Sequence, residues 1–159
     1  MRTQRGFSLI ELLIVVAIIL IVAAIAIPNI LRAQISANES SAVSSLRAII
    51  TGEITYSSTY PTAGFSVNLP ALAGTTCTAP TSSAACIIDN SLANATSQTS
   101  SKSGYYFSYT PNSALGYTLY ADPSYWNHSG TKHYYTDSSA VIHYNSANQT
   151  SSVDDPTIQ

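Results

Sequence analysis

Residues Phe7 to Ile27 read FSLIELLIVVAIILIVAAIAI, and from Leu12 to Ile27 no residue is polar. Across the 25 residues from Phe7 to Leu31 the one strong charge is Glu11. At ~1.5 Å rise per residue, a helix of that length covers ~37 Å, enough to span a ~30 Å hydrocarbon layer. The stretch is therefore predicted to be a membrane-crossing helix. Arg2 and Arg5 precede it, so the positive-inside tendency keeps the N-terminus cytoplasmic and exports the rest. The exported side is oxidising, and Cys77 and Cys86 are the chain's two cysteines; they are expected to form a disulfide.

An ordinary secretory signal would also begin with basic residues and an apolar run, with Ala24-Ile25-Ala26 as its small-x-small cleavage site. Two features oppose that reading. A carboxylate inside the apolar stretch costs ~2.5–3.5 kcal/mol on insertion scales, and Glu11 sits there. The helical pattern also continues well past the cut.

Composition narrows the function. The chain has 159 residues, 9% of them charged, with a formal net charge of −2. Soluble domains carry about 25% charged residues, and a nucleic-acid binder needs a basic surplus; nucleic acid is not expected as a main ligand. Eleven tyrosines and 45% hydrophobic residues argue against general disorder. Two cysteines are too few for a four-thiolate zinc site. No nucleophile–base pair, phosphate loop or paired-carboxylate site is visible, so neither enzymatic activity nor a cofactor is expected.

Beyond Pro28 the helical spacing persists. Leu31, Ile35, Ala42, Val43, Leu46, Ile49, Ile50 and Ile54 fall on one face, and Ser36, Ser40, Ser44, Arg47, Thr51 and Thr55 on the other. This half reads as an amphipathic helix packing one stripe on a globular domain. Pro28 lacks an N–H and its ring clashes with the Ala24 carbonyl, which predicts a kink or local break. Pro61 and Gly64 end the helix near Ser58.

Residues 59–103 read as loop, with a short helix near 87–95. From Gly104 strand signals dominate: GYYFSYT, GYTLYAD, TKHYYT and AVIHY. Pro111-Asn112-Ser113, Asp122-Pro123 and Asp137-Ser138-Ser139 supply the turn chemistry between them. Short links favour a four-stranded antiparallel meander over 104–145, followed by a tail over 146–159. The fold class is α+β: a long N-terminal helix, half membrane stem and half amphipathic, packed on a four-stranded antiparallel sheet.

Arg5-Gly6-Phe7-Ser8-Leu9-Ile10-Glu11 resembles the processing motif of type IV prepilins, and its short leader resembles the type IVa subgroup. The resemblance implies a pilin fold in which residues 1–6 are a leader peptide, 7–31 a transmembrane and filament-core helix, and 32–159 the globular head, with its helix over 32–58. It implies cleavage by a prepilin peptidase between Gly6 and Phe7, and N-methylation of the new Phe7 amine. Pro28 matches the family's helix-breaking proline. The motif and stem cover about a third of the chain, while the remainder matches in architecture alone. Many type IVa pilins close a disulfide near the C-terminus, whereas this pair lies mid-chain.

Elementary electrostatics points the same way. Cleavage creates a cation at Phe7, four residues from Glu11 on the same helix face. In lipid or in a bundle of stems each charge is costly alone and tolerable as a pair. If the Phe7 amine of one subunit meets Glu11 of the next, axial register is specified; the alternative is a pair within one chain, at the positive end of the helix dipole.

The resemblance implies a homo-oligomeric helical filament, open-ended rather than closed. Its expected partners are the peptidase, an inner-membrane assembly platform, a cytoplasmic ATPase and an outer-membrane secretin. Single-pass inner-membrane residence precedes an extracellular pilus serving adhesion, motility, biofilm or DNA uptake. The rival readings are a pseudopilin of type II secretion and a monomeric membrane-anchored binding protein. Glu11 disfavours the last, since a lone anchor has no use for it. Asp122, Asp137, Asp154 and Asp155 are the candidate ligands for a calcium ion near the C-terminal loops, although turn chemistry accounts for the first two. His133 and His143 are expected to face each other across a hairpin, in a packing role.

Overall fold

The computed structural model describes residues 6–74, 77–112 and 116–158. Its first element, α1, runs over Leu9–Thr59. It is uninterrupted at Pro28, so of the kink or local break that the sequence predicts there, the break does not occur. A proline inside a helix removes one N–H and leaves one carbonyl without its donor, and the remaining ladder stands on either side of it. The Asn29 side chain adds a bond to the next carbonyl, its Nδ2 donating to Ile25 O at 3.1 Å.

The chain divides between Gln34 and Ile35 into two compact units. In the first unit the apolar helix buries nothing: its most apolar window is 0% buried, and Leu9, Ile10, Leu20 and Ile25 stand open to solvent. That segment is long and apolar enough to cross a membrane.

In the second unit Ala42, Leu46, Ile49, Ile50 and Tyr56 of α1 form one cluster with Tyr105, Phe107, Leu119, Ala121 and Tyr134. The predicted stripe is right in its middle and wrong at its two ends, where Leu31 and Ile54 are each 55% exposed. Gly52 and Tyr56 take the inner face instead; Gly52 lets the Ile87 and Ile88 side chains come against the helix. Two carboxylates, Glu39 and Glu53, are buried on this half of the helix. On the solvent face Ser40, Thr51, Thr55 and Thr59 each donate a hydroxyl to the carbonyl four residues earlier.

Two short helices interrupt the segment read as loop. α2, Leu69–Leu72, is capped by Asn68, whose side chain accepts from the Ala71 N–H. α3, Asn90–Ala93, is capped by Asp89 and lies inside the predicted 87–95 helix. Cys77 and Cys86 are joined in a disulfide between them.

The sheet is an antiparallel meander in the order β1-β2-β3-β4: β1 Tyr105–Pro111, β2 Tyr117–Pro123, β3 His133–Asp137 and β4 His143–Asn145. Tyr105, Phe107, Leu119 and Ala121 alternate inward by the period of two. Between β1 and β2, Ser113 of the expected turn lies outside the described residues, while the Asn112 N–H donates to Gly116 O at 2.9 Å. Asp122-Pro123 is not a turn: both residues belong to β2, with Pro123 opposite Tyr105. A last-position proline forfeits a donor only at the strand end, and the connection to β3 is made by residues 124–132. The C-terminal segment lines the β4 edge, with Tyr144 N–H donating to Pro156 O and Ile158 N–H to Ile142 O, each at 2.9 Å. That covers an edge otherwise open to pairing.

Candidate functional site

The sequence ahead of α1 sets where the helix begins. Ser8-Leu9-Ile10-Glu11 has the S-x-x-E spacing of a capping box, in which the fourth residue turns back to the first. The Ser8 N–H donates to Glu11 Oε2 at 2.9 Å, and the Leu12 N–H donates to Ser8 O at 3.2 Å. Glu11 also places its negative charge in the first turn, at the positive end of the helix dipole. Gly6, Phe7 and Ser8 precede the helix and are exposed, Phe7 by 84%. A side chain built on Gly6 would meet nothing. The fold therefore makes no demand for glycine there. Arg2, Arg5 and the rest of the expected leader up to residue 5 lie outside the described residues.

The helix thus carries a single carboxylate in its first turn and an unbroken apolar surface behind it. Residues 1–27 match the family described as the prokaryotic N-terminal methylation motif. The N-terminus carries that motif. Two curated relatives match at the same end. A type IV major pilin protein of Myxococcus xanthus is 54% identical over 50 residues, 31% of this chain and 23% of that protein. The major component of a type IV wide pilus of Thermus thermophilus is 62% identical over 39 residues, 24% of this chain and 30% of that protein. The match thus spans less than a third of either relative. No solved structure matches the chain.

The remaining candidates part company. The four aspartates do not gather: among the described residues no three His, Cys, Asp or Glu side chains converge. Most are engaged by the protein's own donors. Asp122 is buried and accepts from His133 Nδ1 at 2.5 Å. Asp137 accepts from the Ser139 N–H at 2.8 Å. Asp155 accepts from the Ser152 N–H at 2.7 Å and from Asn145 Nδ2. The Ser152 and Asn145 bonds hold the Asp155 carboxyl below its ordinary value. His133 and His143 do not face each other either. His133 is opposite Asn145 and His143 opposite Tyr135; His133 stacks on Trp126, and His143 Nδ1 bonds Asp155 O at 2.8 Å.

Sequence reasoning missed the anchors between α1 and the loops of its own unit. Glu39 Oε1 accepts from the Thr131 N–H at 3.0 Å and its hydroxyl at 2.7 Å, and Lys132 Nζ lies 3.1 Å from Oε2. Burial pushes the Glu39 carboxyl up, but the Thr131 bonds and Lys132 together outweigh it and hold the group below its ordinary value. Asn38 Nδ2 donates to Ser129 O at 2.9 Å. At the other end of the unit Glu53, fully buried, accepts from the Ser66 N–H at 3.0 Å and from its hydroxyl. Both carboxylates fall on the apolar stripe by helical spacing, Glu39 between Ile35 and Ala42 and Glu53 between Ile49 and Tyr56; only the partner, 92 or 13 residues away, reveals what each one binds.

Proposed function

We propose that this chain is a structural, non-enzymatic subunit of a type IV pilus. The observation that carries the proposal is the first half of α1: apolar, with nothing buried in its most apolar window, marked by the methylation motif, and bearing one carboxylate in its first turn. An isolated chain cannot leave such a surface in water, and a lipid layer or a bundle of identical helices satisfies it. The two relatives are both named for pili, which favours a surface fibre over a secretion pseudopilus.

On this reading a prepilin peptidase removes residues 1–6 and the Phe7 amine is methylated. Glycine at position 6 is then a requirement of the peptidase, since the fold leaves that position unconstrained. The subunit waits in the inner membrane, N-terminus cytoplasmic, with residues 7–31 as the stem and 32–159 as the exported head. An assembly platform and a cytoplasmic ATPase feed it into the filament, which leaves through an outer-membrane secretin. Stem packing then replaces lipid, and the Phe7 amine of one subunit pairs with Glu11 of its neighbour to set axial register. Shearing surface filaments from cells, imaging them and identifying their main protein tests the reading. This chain as the repeating subunit supports it; filaments of another protein, with this chain confined to the membrane as a monomer, would overturn it.

A further inference from the structure

The connection between β2 and β3, residues 124–132, presents Tyr125 at 65% exposure and Trp126 half-buried beside it. The segment is not a loose excursion. The Ser129 hydroxyl donates to Tyr125 O at 3.0 Å and accepts from the Tyr125 N–H at 2.9 Å, and the Asn127 N–H donates to Gly130 O at 2.9 Å. Asn127 takes the left-handed conformation at φ 61°, and any side chain at Gly130 would collide with the Tyr105 ring. Trp126 stacks on His133 at 5.0 Å between ring centroids, and His133 is held by Asp122. A preorganised loop thus turns a large aromatic ring outward, where the head's own core has no use for it.

Its position selects the partner. Asn38 and Glu39 bind this loop through Ser129, Thr131 and Lys132, at the end of the second unit where the chain enters it. Tyr56 and Glu53, farther along α1, engage Ser82 and Ser66 instead. Six residues of chain separate Asn38 from Leu31, the end of the proposed stem. Tyr and Trp concentrate at membrane–water interfaces because an apolar ring with a polar tip is stable at headgroup level. We infer that, before assembly, Tyr125 and Trp126 rest in the phospholipid headgroup layer and hold the head against the membrane. The inference rests on the membrane-anchored subunit proposed above. Residues 123–132 contain no carboxylate to repel lipid phosphates, and their one lysine, Lys132, is paired with Glu39.

Trp126 is the chain's single tryptophan and serves as the probe. The full chain is reconstituted in phosphatidylcholine vesicles, and flotation first establishes insertion. Trp126 emission is then quenched with a nitroxide on the lipid headgroup and, separately, with aqueous iodide. The expected result is roughly twofold quenching by the headgroup nitroxide and weak quenching by iodide. A Tyr125→Ser variant that floats equally well should lose most of the nitroxide effect. Vesicle-bound protein quenched by iodide and not by the nitroxide would overturn the inference and leave the membrane anchor standing. Resistance to both quenchers would place the loop against another subunit and also overturn it. Failure to float would instead contradict membrane anchoring itself.

Discussion

The Ser8 N–H donates to Glu11 Oε2 at 2.9 Å, so the carboxylate expected to pair between subunits also caps its own helix. The two roles use different atoms. Among the described residues Oε1 of Glu11 has no hydrogen-bond partner, which leaves an acceptor for a neighbour's cation. Capping needs only an oxygen, whereas pairing with an ammonium in a dry helix bundle needs the charge.

Glu11→Gln keeps the cap and removes the charge, and Glu11→Ala removes both. Both variants should be processed and membrane-resident, and both should assemble poorly, because truncating one member of a buried pair costs ~3–5 kcal/mol. Fibre yield against total cellular protein, with cleavage checked separately, measures this. Normal fibres from Glu11→Gln would assign the residue to capping alone.

Ser66→Ala leaves the buried Glu53 carboxylate with a single donor. The loss of a hydrogen bond to a buried carboxyl group is expected to cost ~1–3 kcal/mol, read as a lowered denaturant midpoint. An unchanged midpoint would show that the Ser66 hydroxyl contributes nothing there.

How far the sequence discloses this molecule depends on the kind of interaction. The apolar run from Leu12 to Ile27 and the four aromatic strand segments are legible because periodicity and length mark them locally. The meander follows from short connections. The S-x-x-E box at Ser8–Glu11 was legible in principle, yet the carboxylate reads first as a charge in an apolar stretch. The partners of Glu39, Glu53 and Asp122 were not legible, since a polar residue at a helix or strand position carries no sign of a partner remote in sequence. Ile54 shows the converse limit: it continues the helical stripe but lies where the domain no longer covers the helix. The Asp122-Pro123 pair has turn chemistry and sits in a strand, because the backbone pairing of β1 with β2 outweighs local preference.

Cys77→Ser opens a loop whose cysteines are 9 residues apart. The chain-entropy model gives ~2–3 kcal/mol for closing a loop of that size. Proteolysis should become faster within residues 61–86, with membrane insertion unchanged because the stem does not depend on the bridge. Equal protease resistance before and after reduction would contradict this.

The Glu39 tie is sensitive to acid in a defined direction. Its carboxyl is held below the ordinary value of 4.5 by Thr131 and Lys132 against the opposing effect of burial. A depressed folded pKa contributes stability that is present above the unfolded value and lost as pH falls through the folded one. Between about pH 6 and about pH 3 the wild type should therefore lose more stability than Glu39→Gln, the difference isolating this residue from the other carboxylates. Parallel pH profiles for the two proteins would refute the tie.

The central claim is that this chain is a prepilin cut between Gly6 and Phe7, and the mass of its mature N-terminus tests that most directly. Terminal mass spectrometry of the chain from the membrane fraction and from sheared filaments should find N-methylated Phe7 as the first residue. Gly6→Val should leave the leader attached although the fold has room for the side chain. A mature chain beginning at Ile27, or an intact Met1 in a chain that nevertheless reaches the cell surface, would contradict the account.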